Sequence, residues 1–80
     1  NTSIKLSINL ILNSNEPKII SKLENAFNNI DDIRFFSIKK FSLNKTIYEI
    51  IYNTDPNKLR KQFLINGFSI VNDDGYWIVQ

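Results

Sequence analysis

A chain of 80 residues forms one domain, and 42% hydrophobic residues, six Phe, three Tyr and one Trp against only two Gly and two Pro describe a folded globular domain rather than a disordered linker. The formal net charge of +2 is too small to be an electrostatic footprint for nucleic acid. The absence of both Cys and His excludes a disulfide framework, a cysteine zinc site, the usual thiol nucleophile and the usual imidazole base.

No stretch approaches the ~18 apolar residues of a membrane span, and no charged start followed by an apolar run marks a signal peptide. The chain contains no Met, even at position 1, which predicts a piece of a longer precursor and leaves the compartment open.

Ser3 to Leu12 alternates strictly, with Ile4, Leu6, Ile8, Leu10 and Leu12 on one face and Ser3, Lys5, Ser7 and Asn9 on the other, so a half-buried strand is predicted. Ile11 is the lone apolar residue of the outer face. Asn13-Ser14-Asn15 is a turn with a potential N-cap, and Glu16 and Pro17 suit the first turn of a helix. Ile19, Ile20, Leu23, Ala26, Phe27 and Ile30 then recur at helical spacing opposite Lys18, Lys22, Glu24, Asn25 and Asn28, which predicts an amphipathic helix ending near Asn28 to Asp31.

Ile33 to Tyr52 reads as a β-hairpin with its turn at Asn44-Lys45. Phe36 and Ile38 share one parity and Phe41 and Leu43 the other, so a β-bulge at Lys39-Lys40 is expected to hold all four on the core face. In the second arm the face of Tyr48, Ile50 and Tyr52 is assigned inward. Thr54 or Asp55 caps a second helix with Pro56 in its first turn, Leu59, Phe63 and Leu64 mark its course, and Gly67 is placed as a left-handed C-cap. Phe68 to Val71 forms a short strand, and Asp73-Asp74-Gly75 turns it back into Tyr76 to Val79.

The order strand, helix, strand, strand, helix, strand, with the last strand doubled back as a hairpin, predicts an α+β, ferredoxin-like split β-α-β sandwich: an antiparallel sheet with both helices on one face, in a single domain over residues 1–80. One architecture of this kind hosts many unrelated functions, so the residues at each candidate site decide between them. RNA-recognition modules stack bases on aromatics of the two central strands, but those positions here are Lys5, Ser7, Asn9, Ile47, Glu49 and Ile51. Asp31-Asp32 and Asp73-Asp74 fall far short of the six or more convergent oxygens a hard cation needs, and read as solvated turns. Small-molecule phosphatases of this architecture use an arginine and an asparagine near the first loop. Asn13 and Asn15 are present there, but no arginine precedes Arg34. Two glycines cannot build a phosphate loop, so neither an enzyme nor a cofactor site is expected.

What remains is surface. Lys39, Lys40 and Lys45 read as protection of an edge strand. Lys58, Arg60 and Lys61 read either as the solvated side of the second helix or as a docking patch for an acidic partner or lipid headgroups. Trp77 reads either as a cover over the end of the core or, where it projects outward with Tyr76, as part of a pair of candidate aromatic anchors for a protein partner. Phe68 to Val79, lacking lysines, is the hairpin whose edge would pair with another subunit.

The run L-E-N-A-F-N-N-I, then Ile33, Phe36 and Ile38, Phe41-Ser42, Tyr48-x-Ile50-x-Tyr52, Leu59-x-x-x-Phe63-x-x-x-Gly67-Phe68 and Gly75-x-Trp77-x-Val79 resembles the C-terminal module of an uncharacterised bacterial protein family of the cell envelope, over residues 20–80. It is also similar to the periplasmic ferredoxin-like domains of type II secretion platform proteins, which pair with one another or with neighbouring subunits. The resemblance carries no catalytic residues and implies a module that works by binding protein in a periplasmic or envelope setting, tethered to a larger chain. The expected function is therefore a non-enzymatic interaction or assembly module, with self-association or a protein partner; the alternative is a small-ligand or RNA-binding regulatory domain.

Overall fold

The computed structural model describes residues 5–80. Ser3 and Ile4, the expected start of the first strand, lie outside the described residues. The elements are β1 (Leu6–Leu12), α1 (Pro17–Asn29), β2 (Ile33–Ser42), β3 (Lys45–Tyr52), α2 (Pro56–Ile65), β4 (Ile70–Asp73) and β5 (Tyr76–Val79). They form a five-stranded sheet in the order β2-β3-β1-β5-β4 with both helices against one face.

The all-antiparallel expectation is corrected at one ladder. β1 and β5 run parallel through Leu10↔Trp77 and Ile11↔Ile78, so the sheet is mixed. The chain leaves α2 through Asn66–Ser69, lays β4 on the outer edge, and turns inward so that β5 fills the place beside β1. The turn that does this is built from Asp74 at φ 52° and Gly75 at φ 87°, the two left-handed residues of a type I′ hairpin.

One core joins the sheet to both helices. Ile8, Leu10 and Leu12 of β1, Tyr48, Ile50 and Tyr52 of β3, Ile70, Trp77 and Val79 of the last hairpin, Leu23, Phe27 and Ile30 from α1 and its end, and Leu59 and Phe63 of α2 form one buried cluster. Phe27 is its crossing point, with ring centroids 4.7 Å from Phe36, 5.1 Å from Tyr48 and 5.9 Å from Phe63. The Tyr48 hydroxyl escapes the apolar interior by donating to Glu24 Oε2 at 3.0 Å, and the buried Thr46 hydroxyl donates to the Ser14 carbonyl at 3.0 Å.

The helix ends follow from their flanking residues, with one adjustment. α1 takes Glu16 as its N-cap residue, without a side-chain cap, and the Ser14 hydroxyl instead accepts from the Glu16 amide. At α2, Asp55 Oδ1 accepts from the Lys58 amide at 2.9 Å, satisfying one of the orphan donors. The other end closes as a Schellman motif: Gly67, at φ 90°, donates to the Leu64 carbonyl, and Phe68 donates to the Phe63 carbonyl. Asp55→Ala is expected to cost about 1 kcal/mol, read as a lower urea midpoint with unchanged slope, and Asp55→Asn to recover most of it.

The β2–β3 hairpin differs from its expectation in two places. Ser42 pairs with Lys45, so the turn is Leu43-Asn44, one residue earlier than expected, and Leu43 stands 93% exposed instead of facing the core. The bulge is where it was expected. The register shifts between Ile38 and Lys40, leaving Lys39 as the extra residue and returning Phe41 to the helix side, opposite Thr46. Ile38 and Phe41 nevertheless stay exposed.

Candidate interaction surface

The face of the sheet opposite the helices has no protein layer over it among the described residues. Its composition follows from the ladders. Ile11 pairs with Ile47 on one side and with Ile78 on the other, and Ile78 pairs with Val71. Side chains of paired residues point to the same face, so Ile47, Ile11, Ile78 and Val71 form an unbroken apolar row across four adjacent strands. All four are only half-buried. The parallel β1–β5 ladder creates this row: a one-residue slip would turn Ile78 into the core and Trp77 out.

Below the row the face becomes polar. Ser37, Glu49 and Asn9 lie in one line and Phe35, Ile51 and Ser7 in the next, with Tyr76 opposite Asp73 on the far strands. The Ser7 hydroxyl donates to Glu49 Oε2 at 3.3 Å. At the lower corner Lys5, Arg34, Phe35, Ile51 and Asn53 line a shallow hollow of about 440 Å³. Phe35 is 61% exposed there.

Charge is divided between the two edges. Edge strand β2 carries Arg34, Lys39 and Lys40 and no acid, whereas β4 and its turn carry Asp73 and Asp74 and no base.

The residues singled out from sequence do not gather into one surface. Trp77 faces the core at 9% exposure, which removes it as a surface anchor, while its neighbour Tyr76 stands 45% exposed on the open face. Lys58 lies 3.9 Å from Asp32 Oδ2, which also accepts from Gln62 Nε2, so it helps to tie α2 to the loop before β2. Arg60 and Lys61 line a groove of about 420 Å³ with Asn57, Leu64, Ser69 and Ile70. The Phe68 to Val79 hairpin does occupy a sheet edge, but only through the four residues of β4.

Among the described residues no three acidic side chains converge on a metal-sized site, and no helix is long and apolar enough to cross a membrane. No protein-family model, curated protein or solved structure matches this chain.

Proposed function

We propose that the chain is a non-enzymatic protein-binding module of ferredoxin-like type and that its docking surface is the open face of the sheet. The strand run β2-β3-β1 with two helices on one side supports the split β-α-β reading, with a final hairpin that inserts β5 between β1 and β4. The observation carrying the proposal is the registered row Ile47, Ile11, Ile78 and Val71. A contiguous apolar strip rimmed by polar residues is what a protein interface requires, and a solvated sheet face does not need one. The resemblance of residues 20–80 to envelope modules that bind protein supports the same reading. An RNA platform is the weaker reading, because the open-face positions of β1 and β3 hold Ser7, Asn9, Ile11, Ile47, Glu49 and Ile51 and no aromatic ring.

The test is photo-cross-linking in the native host, with p-benzoylphenylalanine placed at Ile11 and, as a control, at the exposed Ser21 of α1. A protein adduct at position 11 and none at 21 is expected. Equal labelling at both positions, no adduct at 11, or a nucleic-acid adduct there would sink the proposal.

A further inference from the structure

We infer that the occupant of the open face is a second copy of this chain, packed sheet on sheet about a twofold axis parallel to β1. This rests on the reading of that face as a docking surface and goes beyond it by naming the partner and its orientation. Three observations lead to it.

The first is position. β1 is the central strand of five, so an axis running along it lays Ile11 over its own copy and Ile47 over the copy of Ile78. Ile11, Ile47 and Ile78 therefore cover one another without a shift along the strands, while Val71 comes to lie over Lys40 of the other copy. Sheets packed in this way keep their strands within about 30° of each other, which preserves the match near the axis.

The second is charge. The same axis carries each outer strand over the opposite one, bringing Arg34, Lys39 and Lys40 of β2 towards Asp73 and Asp74 of the other copy. In particular Ser37 comes to face Asp73, with Lys40 one pleat away, and Glu49 comes to face the Tyr76 hydroxyl. The other way of stacking two such faces, about an axis across the strands, lays β2 on its own copy. Three cations then meet three cations, and like charges placed together oppose that arrangement. Charge thus selects the axis that the apolar row permits.

The third is size. Five strands about 4.8 Å apart and some 20 Å long offer a face of about 500 Å². Two such faces bury about 1,000 Å², the lower end of specific interfaces, so the pair is expected to be reversible. Sheets facing each other lie about 10 Å apart, beyond the span of a disulfide but within that of a short bis-maleimide.

The chain has no cysteine of its own, so introduced ones report without interference. Single-cysteine variants Ser37→Cys and Asp73→Cys are treated with a short bis-maleimide separately and mixed, alongside sedimentation of the unsubstituted chain. The mixture is expected to give several-fold more cross-linked dimer than either variant alone, and the unsubstituted chain to become dimeric with rising concentration. Ile11→Lys with Ile78→Lys is expected to lower the association constant at least tenfold; should that variant fail to fold, the cross-links decide alone.

A strict monomer up to about 1 mM, where even a weak complex forms, overturns the self-pairing. So does Ser37→Cys linking mainly to itself, which would mean that β2 meets β2. If the photo-adduct at position 11 is then another protein, the docking face stands and only its occupant is wrong; if there is no adduct at all, the docking reading falls too.

Discussion

Phe27→Ala is expected to destabilise the domain by about 3–5 kcal/mol, because it removes a fully enclosed ring and leaves a cavity that rigid neighbours cannot close. Phe27 is 2% exposed and stands between α1, β2, β3 and α2, touching Phe36, Tyr48 and Phe63. Edge-to-face contacts of this kind add to the loss beyond the area they bury. A domain of this length has a total stability of about 4–12 kcal/mol, so the variant sits close to the edge of folding.

The matching control is Phe35→Ala. The two residues are chemically identical, but Phe35 is 61% exposed on the open face, and its loss should change stability by no more than about 0.5 kcal/mol. Urea titration of both variants decides the matter. A midpoint for Phe27→Ala equivalent to a loss under about 1 kcal/mol would show that the four-element crossing is not the centre of the core.

The contrast between Phe27 and Phe35 also marks what could be read from the chain. Phe27 belongs to a helical stripe, Asp55-Pro56 and Gly67 to helix ends, and Asp74-Gly75 to a tight turn, and each is decided by a few neighbouring residues. The face of Tyr48, Ile50 and Tyr52 was legible for the same reason, since period-two alternation is local.

Neighbours in the sheet are not local. Alternation puts Trp77 and Val79 on one face together but says neither which face that is nor which strand of the last hairpin reaches β1, so the parallel ladder was hidden. The apolar row was hidden with it. Ile11, Ile47, Ile78 and Val71 each look like an isolated apolar residue in its own strand, and they become a surface only through three separate registers. The pair Tyr76-Trp77 was ambiguous in the same way, because adjacency cannot say which ring turns inward. Leu43 departs from its expected face for a different reason: a turn of Leu and Asn without glycine carries weak turn chemistry, so nothing local marks the end of the strand's alternation at Ser42.

Two buried tyrosines make the fold sensitive to alkali. Burial, then the hydrogen bond and charge of Glu24, push the Tyr48 phenol well above its ordinary value of 10.0. Burial, then the charge of Asp55, raise the Tyr52 phenol as well. Below pH ~10 both phenols are protonated in the folded and the unfolded chain, and the stability they contribute is fully present. Above it the unfolded chain releases protons that the folded chain retains, so each tyrosine removes about 1.4 kcal/mol of stability per pH unit until its raised folded value is reached. While both phenols are held protonated the combined slope is about 2.7 kcal/mol per unit, and once the less perturbed one ionises in the folded chain it falls back to that of a single group. Urea midpoints from pH 8 upward should therefore hold steady and then fall steeply past pH ~10, with loss of helical circular dichroism and appearance of phenolate absorbance in one transition. Tyr48→Phe should be less stable at pH 7 by about 1 kcal/mol, through loss of the bond to Glu24, yet show a shallower alkaline slope. Midpoints that stay flat past pH ~11 would mean that neither phenol is held protonated by the fold, and a Tyr48→Phe slope equal to that of the parent chain would mean that Tyr48 is not.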